Sequence, residues 1–172
     1  MNTALPRFTL VALLVVSAFA TQSTVRARLQ PLPERTPAPG FALKDASGRT
    51  LDLKSYRGKV VLLDFWATWC GGCREEIPWF ATFQRTYGAR GFAVVGVSMD
   101  DSGWAVLKPF LASTRVPYRM LLGNDGTAQR YGISVLPDTF LIDKHGRIAA
   151  AYKGLVDKDD VETNIRAMLS ER

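Results

Sequence analysis

The stretch VVLLDFWATWCGGCREEIP, residues 60–78, decides the fold. It opens with an apolar run broken by a single acid, Asp64, and such a run is typical of a central strand covered on both faces. The residues after it favour a helix over 74–87, which ends near Gly88. Cys70 and Cys73, the only two cysteines of the chain, therefore lie at the corner between a buried strand and a helix.

The spacing of the two cysteines leaves three uses open: a structural staple, a metal site or a reversible disulfide. A chain of 172 residues that is 47% hydrophobic can bury a sufficient core without a staple. A bridge across two residues also closes too small a loop to stabilise much. A copper carrier using both cysteines and His145, the only histidine, is an alternative. Against it, the pattern Lys144-His145-Gly146 predicts a solvated turn.

The formal charge of +6 raises the question of nucleic-acid binding. The basic residues are scattered, and the sequence contains neither a Lys/Arg-rich run nor a recognised nucleic-acid motif. A solvated surface is the simpler interpretation. We therefore expect no nucleic-acid partner.

Residues 1–20 have the pattern of an export signal. Arg7 precedes an apolar run from Phe8 to Ala20, and Ala18-Phe19-Ala20 fits a cleavage site. Either a signal peptide cut after Ala20 or an uncleaved membrane anchor would place the folded part outside the cytoplasm. Residues 21–37 are rich in proline, which favours an extended linker, so we expect the folded domain over 38–172.

The remaining pattern predicts an α/β domain with a mixed central sheet. A hairpin is expected over 41–53, buried-type strands at 92–98 and 118–122, and a second hairpin over 139–152. Helices are expected over 104–114 and 157–170.

The position of the cysteines suggests thiol chemistry. A sulfur at a helix N-terminus is stabilised as thiolate, so Cys70 is the expected nucleophile. Cys73 lies one turn deeper, and we expect it to resolve the mixed disulfide. That step needs a proton acceptor. Asp64, surrounded by apolar residues, is the candidate, and Glu76, three residues after Cys73, either tunes the thiols or is a solvated helix residue.

Here the sequence resembles a known family. The segment FWATWC-x-x-C (65–73), the hairpin before it and TFLID (139–143) after a proline resemble the thioredoxin superfamily, in particular the exported TlpA/ResA-like thiol–disulfide oxidoreductases. The resemblance covers about residues 38–170. It implies a thioredoxin fold with an N-terminal β-hairpin and a central insertion at about 98–131, and it implies no cofactor and no metal.

The resemblance also implies a substrate site. Pro137 matches the family's cis-proline, which faces the two cysteines and aligns the substrate backbone. Leu136 and Trp69, next to Pro137 and Cys70, are the expected further substrate contacts. The implied partners are protein disulfides or thiols and a membrane-embedded electron donor, and we expect a monomer that acts in cytochrome c maturation or related redox maintenance.

Three positions depart from the family pattern. The residues between the cysteines are Gly71-Gly72, where the second place is usually proline, and glycine loosens the first helical turn. Asp64 stands where many exported relatives have asparagine. Asp138 stands where threonine is commoner, and a carboxylate there would oppose thiolate formation if it points inward.

A second functional class is a peroxidase of the peroxiredoxin type. That type needs a threonine three residues before its reactive cysteine, where this chain has Ala67, and Thr68 is only two residues away. Among exchange enzymes, an oxidant needs a strongly stabilised reduced form. The nearby acids Asp64, Glu76 and Asp138 oppose this, so we expect a reductase.

Overall fold

A six-stranded mixed sheet forms the centre of the molecule. The computed structural model describes residues 23–171, so the predicted signal peptide or anchor lies outside the described residues. The strands of the sheet are β1 Thr36–Pro37, β4 Val60–Trp66, β5 Phe92–Ser98, β6 Arg119–Leu122, β7 Asp138–Ile142 and β8 Arg147–Lys153. They lie in the order β1-β8-β7-β4-β5-β6. Strand β4 pairs in parallel with β5 and antiparallel with β7, which confirms the predicted mixed sheet.

The expected hairpin forms a separate two-stranded sheet of β2, Ala42–Lys44, and β3, Thr50–Asp52. Four α-helices complete the fold: α1 Gly71–Tyr87, α2 Trp104–Thr114, α3 Asp125–Tyr131 and α4 Lys158–Ser170. None of the helices within 23–171 is long and apolar enough to span a bilayer.

Both faces of the sheet are covered, which explains the continuous apolar run of β4. Leu62 packs with Phe80 of α1 and Ile165 of α4. Leu63 points to the other face, where Phe41 beside the hairpin belongs to the same buried cluster. All seven residues of β4 are buried, and the single acid of the run, Asp64, is therefore held inside the protein.

The central insertion consists of α2, β6 and α3, and β6 extends the sheet beyond β5. Helix α3 was not predicted because its seven residues are too few for a clear apolar period. Its start is fixed locally, since the Asn124 side chain accepts a hydrogen bond from the Thr127 backbone N–H at 2.9 Å.

Residues 23–37 differ from the expected linker. The Val25 N–H donates to the Leu155 carbonyl at 2.7 Å, the Gln30 N–H donates to Ala149 at 2.8 Å, and β1 pairs with β8. Arg35 is buried and donates two 2.7 Å hydrogen bonds to Glu171. Proline favours extended backbone both in linkers and in edge strands, so composition did not distinguish a free tether from a segment packed on the domain.

Candidate active site

Cys70 and Cys73 form a disulfide where β4 turns into α1. Cys70 is the N-cap residue of α1, and its Sγ accepts a hydrogen bond from the Cys73 backbone N–H at 3.2 Å. Cys70 is 7% exposed, whereas Cys73 is fully buried. A helix N-terminus favours negative charge on Cys70, and Cys70 is also the sulfur that an incoming disulfide can reach.

Asp100 holds the loop before Cys70 in place. Its carboxylate accepts hydrogen bonds from the Thr68 N–H at 3.1 Å, from Thr68 Oγ1 at 2.6 Å and from Ser98 Oγ at 2.7 Å. The Thr68 hydroxyl is thereby bound to Asp100. Sequence reasoning missed Asp100; the available signal was an acid just after β5, since carboxyl ends of parallel strands meet at one edge.

Pro137 lies against the segment between the cysteines. The Leu136–Pro137 peptide bond is cis. A Cβ placed on Gly72 would lie 3.6 Å from Pro137 Cδ and 3.7 Å from Leu155 Cβ, so the backbone at Gly72 faces both residues closely. Leu136 is half-buried beside this contact.

Trp69, next to Cys70, is 70% exposed. Burial of such a large apolar side chain by a partner is favourable, which makes an exposed tryptophan at this position suited to binding. The structure therefore brings Trp69, Leu136 and Pro137 to the same end of the sheet as the disulfide, as the register of β4 and β7 requires.

Asp64 is buried on β4, on the face of the sheet covered by α1. Thr139 Oγ1 donates to Asp64 Oδ1 at 3.3 Å, while Asp64 Oδ2 has no hydrogen-bond partner in the described part of the chain. Burial raises the pKa of Asp64 to about 7, and the Thr139 hydrogen bond opposes this. A carboxyl that changes protonation near neutral pH is suited to accept a proton from a thiol.

Glu76 is buried rather than solvated. Its Oε1 accepts a hydrogen bond from the Val156 N–H at 2.8 Å, which ties the loop after β8 to α1. Burial, and then the charge of Asp64, raises the pKa of Glu76 to about 9. The two buried carboxyls therefore titrate as a pair, and Glu76 is the one that holds its proton more tightly.

The sequence left open whether the Asp138 side chain points inward, and the structure shows that it is fully buried. Among the described residues, neither of its carboxylate oxygens has a hydrogen-bond partner. Asp138 pairs with Phe65, whereas its neighbour Thr139 pairs with Asp64. Because successive side chains of a strand point to opposite faces, Asp138 lies on the other face of the sheet from Asp64. Burial raises the pKa of Asp138 to about 6, with Lys153 opposing.

The oxidised protein is expected to lose stability as the pH rises from about 5 to about 9, because the folded state keeps protons on Asp64 and Glu76 that the unfolded chain has released. A raised carboxyl pKa stabilises the folded state fully below the unfolded-state pKa, and this contribution is lost as the pH passes the folded-state pKa. Each carboxyl contributes a loss of about 1.4 kcal/mol per pH unit only until the pH passes its own folded-state pKa, about 7 for Asp64 and about 9 for Glu76.

Urea unfolding at a series of pH values measures this dependence. Glu76→Gln removes one of the buried carboxyls whose pKa is raised, so the stability of the variant should fall less steeply with pH than that of the wild-type protein. A wild-type stability that stays level or rises over this range would contradict the assignment of buried, protonated carboxyls.

His145 does not approach the cysteines. His145 is exposed in the turn between β7 and β8. This turn follows the end of β7 opposite to Asp138, and the five residues of β7 span roughly 13 Å. Within the described part of the chain, no group of three or more histidine, cysteine or acidic side chains could hold a metal ion. The copper-carrier alternative therefore gains no support.

Comparisons with known proteins agree with this site. The AhpC/TSA family model matches residues 35–151. The thiol-disulfide oxidoreductase ResA of Bacillus subtilis (strain 168) is 32% identical over 146 residues, covering 84% of this chain and 81% of that protein. ResA of Geobacillus thermodenitrificans (strain NG80-2) is 33% identical over 132 residues, covering 76% and 75%.

Solved structures are similar over most of the chain. A putative thiol:disulfide interchange protein DsbE from Chlorobium tepidum superposes with a TM-score of 0.75 at 37% identity, covering 79% of this chain and 97% of that one. A putative thioredoxin from Neisseria meningitidis gives a TM-score of 0.70 at 28% identity, covering 78% and 91%. These similarities confirm the thioredoxin fold predicted from the sequence.

Proposed function

The chain belongs to the AhpC/TSA family and is a thiol–disulfide oxidoreductase, and from this premise we propose that it reduces disulfide bonds in exported proteins. The observation that carries the proposal is the pair Cys70 and Cys73, with the accessible sulfur at a helix N-terminus and the other fully buried. A redox reaction between two proteins needs this asymmetry, because one sulfur must meet the substrate and the other must release it.

The proposed reaction has two steps. The Cys70 thiolate attacks one sulfur of the substrate disulfide, and the other substrate sulfur leaves as a thiolate that takes up a proton. Cys73 then gives its proton to Asp64 and attacks Cys70 Sγ. The Cys70–Cys73 disulfide forms and the bond between Cys70 and the substrate breaks. The released substrate sulfur leaves as a thiolate that takes up a proton, and the substrate has gained two electrons from the enzyme.

Asp64 and Glu76 have distinct roles in this proposal. Glu76 has the higher pKa and is neutral near pH 7, which leaves Asp64 as the acceptor for the Cys73 proton. When Asp64 is ionised, its negative charge also disfavours a thiolate in the reduced enzyme. A less stable reduced form gives up electrons more readily, which supports a reductase rather than an oxidase.

Trp69, Leu136 and Pro137 are proposed to bind the substrate chain. Trp69 supplies exposed apolar surface next to Cys70, and Pro137 faces the backbone between the cysteines. A peptide lying along Pro137 would bring its disulfide to Cys70. The enzyme would then recognise an extended substrate backbone with an apolar side chain close to the disulfide. Many protein disulfides have these features, so the site would accept substrates of several kinds.

The cellular setting is proposed from the sequence and its relatives. Residues 1–20 have an export pattern, and the resemblance to TlpA/ResA-like proteins favours a membrane-embedded electron donor and substrates in cytochrome c maturation. Fusing residues 1–40 to a reporter enzyme that is active only outside the cytoplasm tests export. Activity of that fusion supports the setting, and an inactive but stable fusion contradicts it.

Asp64→Asn is expected to slow the resolving attack by Cys73 about 100-fold near neutral pH, because the proton acceptor is removed. Rapid quenching with acid, followed by mass spectrometry, measures the decay of the mixed disulfide. The rate of the variant should also lose the inflection near the Asp64 pKa of about 7. Asp101→Asn is the matched control, since Asp101 is an exposed acid near the same end of the sheet. An unchanged rate and pH profile in Asp64→Asn would exclude Asp64 as the acceptor.

A further inference from the structure

Four buried polar atoms on one face of the sheet have no hydrogen-bond partner among residues 23–171. They are Asp64 Oδ2, Glu76 Oε2, Trp66 Nε1 and the Tyr118 hydroxyl. Trp66 and Tyr118 can each donate a hydrogen bond, ionised Asp64 can accept one, and protonated Glu76 can donate or accept one. Buried polar groups are rarely left unsatisfied, because each costs the free energy of its lost hydration. Because both donors and acceptors are present, one shared hydrogen-bonding partner would satisfy several of these atoms.

The sheet brings these atoms together. Asp64 pairs with Gly96, and Gly96 pairs with Met120, so the three residues form one row across β4, β5 and β6. Tyr118 lies just before β6 and packs against the same buried cluster as Met120, on this face of the sheet. Gly96 has no side chain, which leaves the space between Asp64 and the end strand open to larger neighbours.

The indole of Trp66 fills part of this space. A Cβ on Gly96 would lie 3.1 Å from Trp66 Nε1 and would collide with Met120 Sδ, so the indole N–H lies directly over the glycine. Tyr118 packs against the cluster that contains Trp66 and Cys73. Burial, and then the charges of Asp64 and Glu76, raises the pKa of the Tyr118 hydroxyl, which lies within electrostatic reach of both.

We propose that these four groups enclose an internal water site, and that Tyr118 uses it to position and stabilise the ionised Asp64 and to connect it with solvent. A buried water molecule typically makes about three hydrogen bonds to otherwise unsatisfied groups, and this region offers four. Tyr118 is a positioning residue, because it acts on the reaction only through Asp64. The role in the reaction rests on the proposed function, whereas the water site and its effect on Asp64 do not.

Tyr118 is placed to reach solvent. Its hydroxyl is buried, but the residue lines two surface grooves, of about 270 Å³ and 440 Å³. The ionisable groups within reach of the hydroxyl are Asp64 of β4 and Glu76 of α1. The charged side chains that line the two grooves are Asp45, Arg49, Lys59, Arg115 and Arg119.

The proton balance of the step is simple. Cys73 loses its proton to Asp64 while its sulfur bonds to Cys70. Asp64 then passes a proton to the internal water, which hands one on to the Tyr118 hydroxyl, and the hydroxyl releases one towards the groove. One proton leaves the protein, no electrons move in this relay, and every group in it returns to its starting state.

Tyr118→Phe tests the proposal. Loss of a donor to the carboxylate should raise the titration midpoint of Asp64 by about one pH unit, as followed by ¹³C NMR of the Asp64 carboxyl in the oxidised protein. Below that midpoint, the resolving attack by Cys73 should slow about 10-fold, while the plateau rate at high pH is unchanged. Tyr87→Phe is the matched control, because that hydroxyl donates to Glu162 at 2.6 Å at the far end of α1.

A high-resolution crystal structure of the wild-type protein gives a second test that needs no variant. An ordered water molecule within hydrogen-bond distance of the Tyr118 hydroxyl and of Asp64 or Glu76 is expected. A dry region, or an Asp64 midpoint that is equal in the wild-type protein and Tyr118→Phe, overturns the proposal. If the midpoint shifts but the enzyme turns over no disulfide, the proposed function fails and the water site stands.

Discussion

Cys70→Ser is expected to abolish turnover of a disulfide substrate, and Cys73→Ser is expected to trap the substrate in a mixed disulfide with Cys70. The reason is the difference in access, since Cys70 is 7% exposed at the N-cap of α1 and Cys73 is fully buried. Without Cys70 no sulfur can reach the substrate. Without Cys73 the first step still occurs, but no internal thiol displaces the substrate.

Non-reducing electrophoresis and mass spectrometry of the reduced variants, mixed with a peptide disulfide, measure both outcomes. The chain has only two cysteines, so each adduct identifies its sulfur without further mapping. The double variant Cys70→Ser/Cys73→Ser controls for noncovalent association. The Cys70→Ser variant is expected to form no adduct on Cys73. If it forms one as fast as Cys73→Ser forms an adduct on Cys70, the assigned roles are wrong.

Arg35→Ala is expected to destabilise the protein by about 3 kcal/mol, because it removes a buried guanidinium that bridges two carboxylates. The Arg35 side chain is 2% exposed and bonds both Glu171 and the buried Asp143. It fixes the segment ahead of the hairpin to the end of α4 and to the turn after β7. The predicted loss therefore also measures whether residues 23–37 are part of the folded unit.

Urea unfolding of the oxidised protein and of Arg35→Ala measures the difference. Arg26→Ala is the matched control in the same segment, since the Arg26 side chain is 74% exposed in its ion pair with Asp157 and should contribute nothing measurable. Equal stabilities of Arg35→Ala and the wild-type protein would mean that the segment is a loose linker after all.

The sequence predicted the parts of the site that depend on local pattern. Strand β4 was recognised because an apolar run of seven residues suits a strand covered on both faces, and the corner after it places Cys70 at a helix N-terminus. The expectation that Asp64 is buried followed from the same run. Glu76 was left between two interpretations, because helical spacing gives the face but not what covers it, and here the loop at Val156 does.

Other parts of the site depend on contacts between distant segments. Asp100 lies 32 residues from the Thr68 hydroxyl that it binds, and no local pattern predicts that pairing. Tyr118 comes within electrostatic reach of the buried acids only through the pairing of β4, β5 and β6. The packing of residues 23–37 depends on the charge of Arg35 meeting Glu171, whereas the prolines nearby suggested only extended backbone.

The reduction potential of the Cys70/Cys73 couple tests the central claim most directly. The protein would be equilibrated with dithiothreitol and glutathione buffers of known potential, and its free thiols would be counted after acid quenching and alkylation. We predict a single reversible two-electron transition at about −250 mV or below, as suits a reductase. A transition at about −120 mV would contradict the proposal that the protein acts as a reductase. A Cys70/Cys73 couple that is not reversibly reduced and oxidised would contradict its use as a redox-active disulfide.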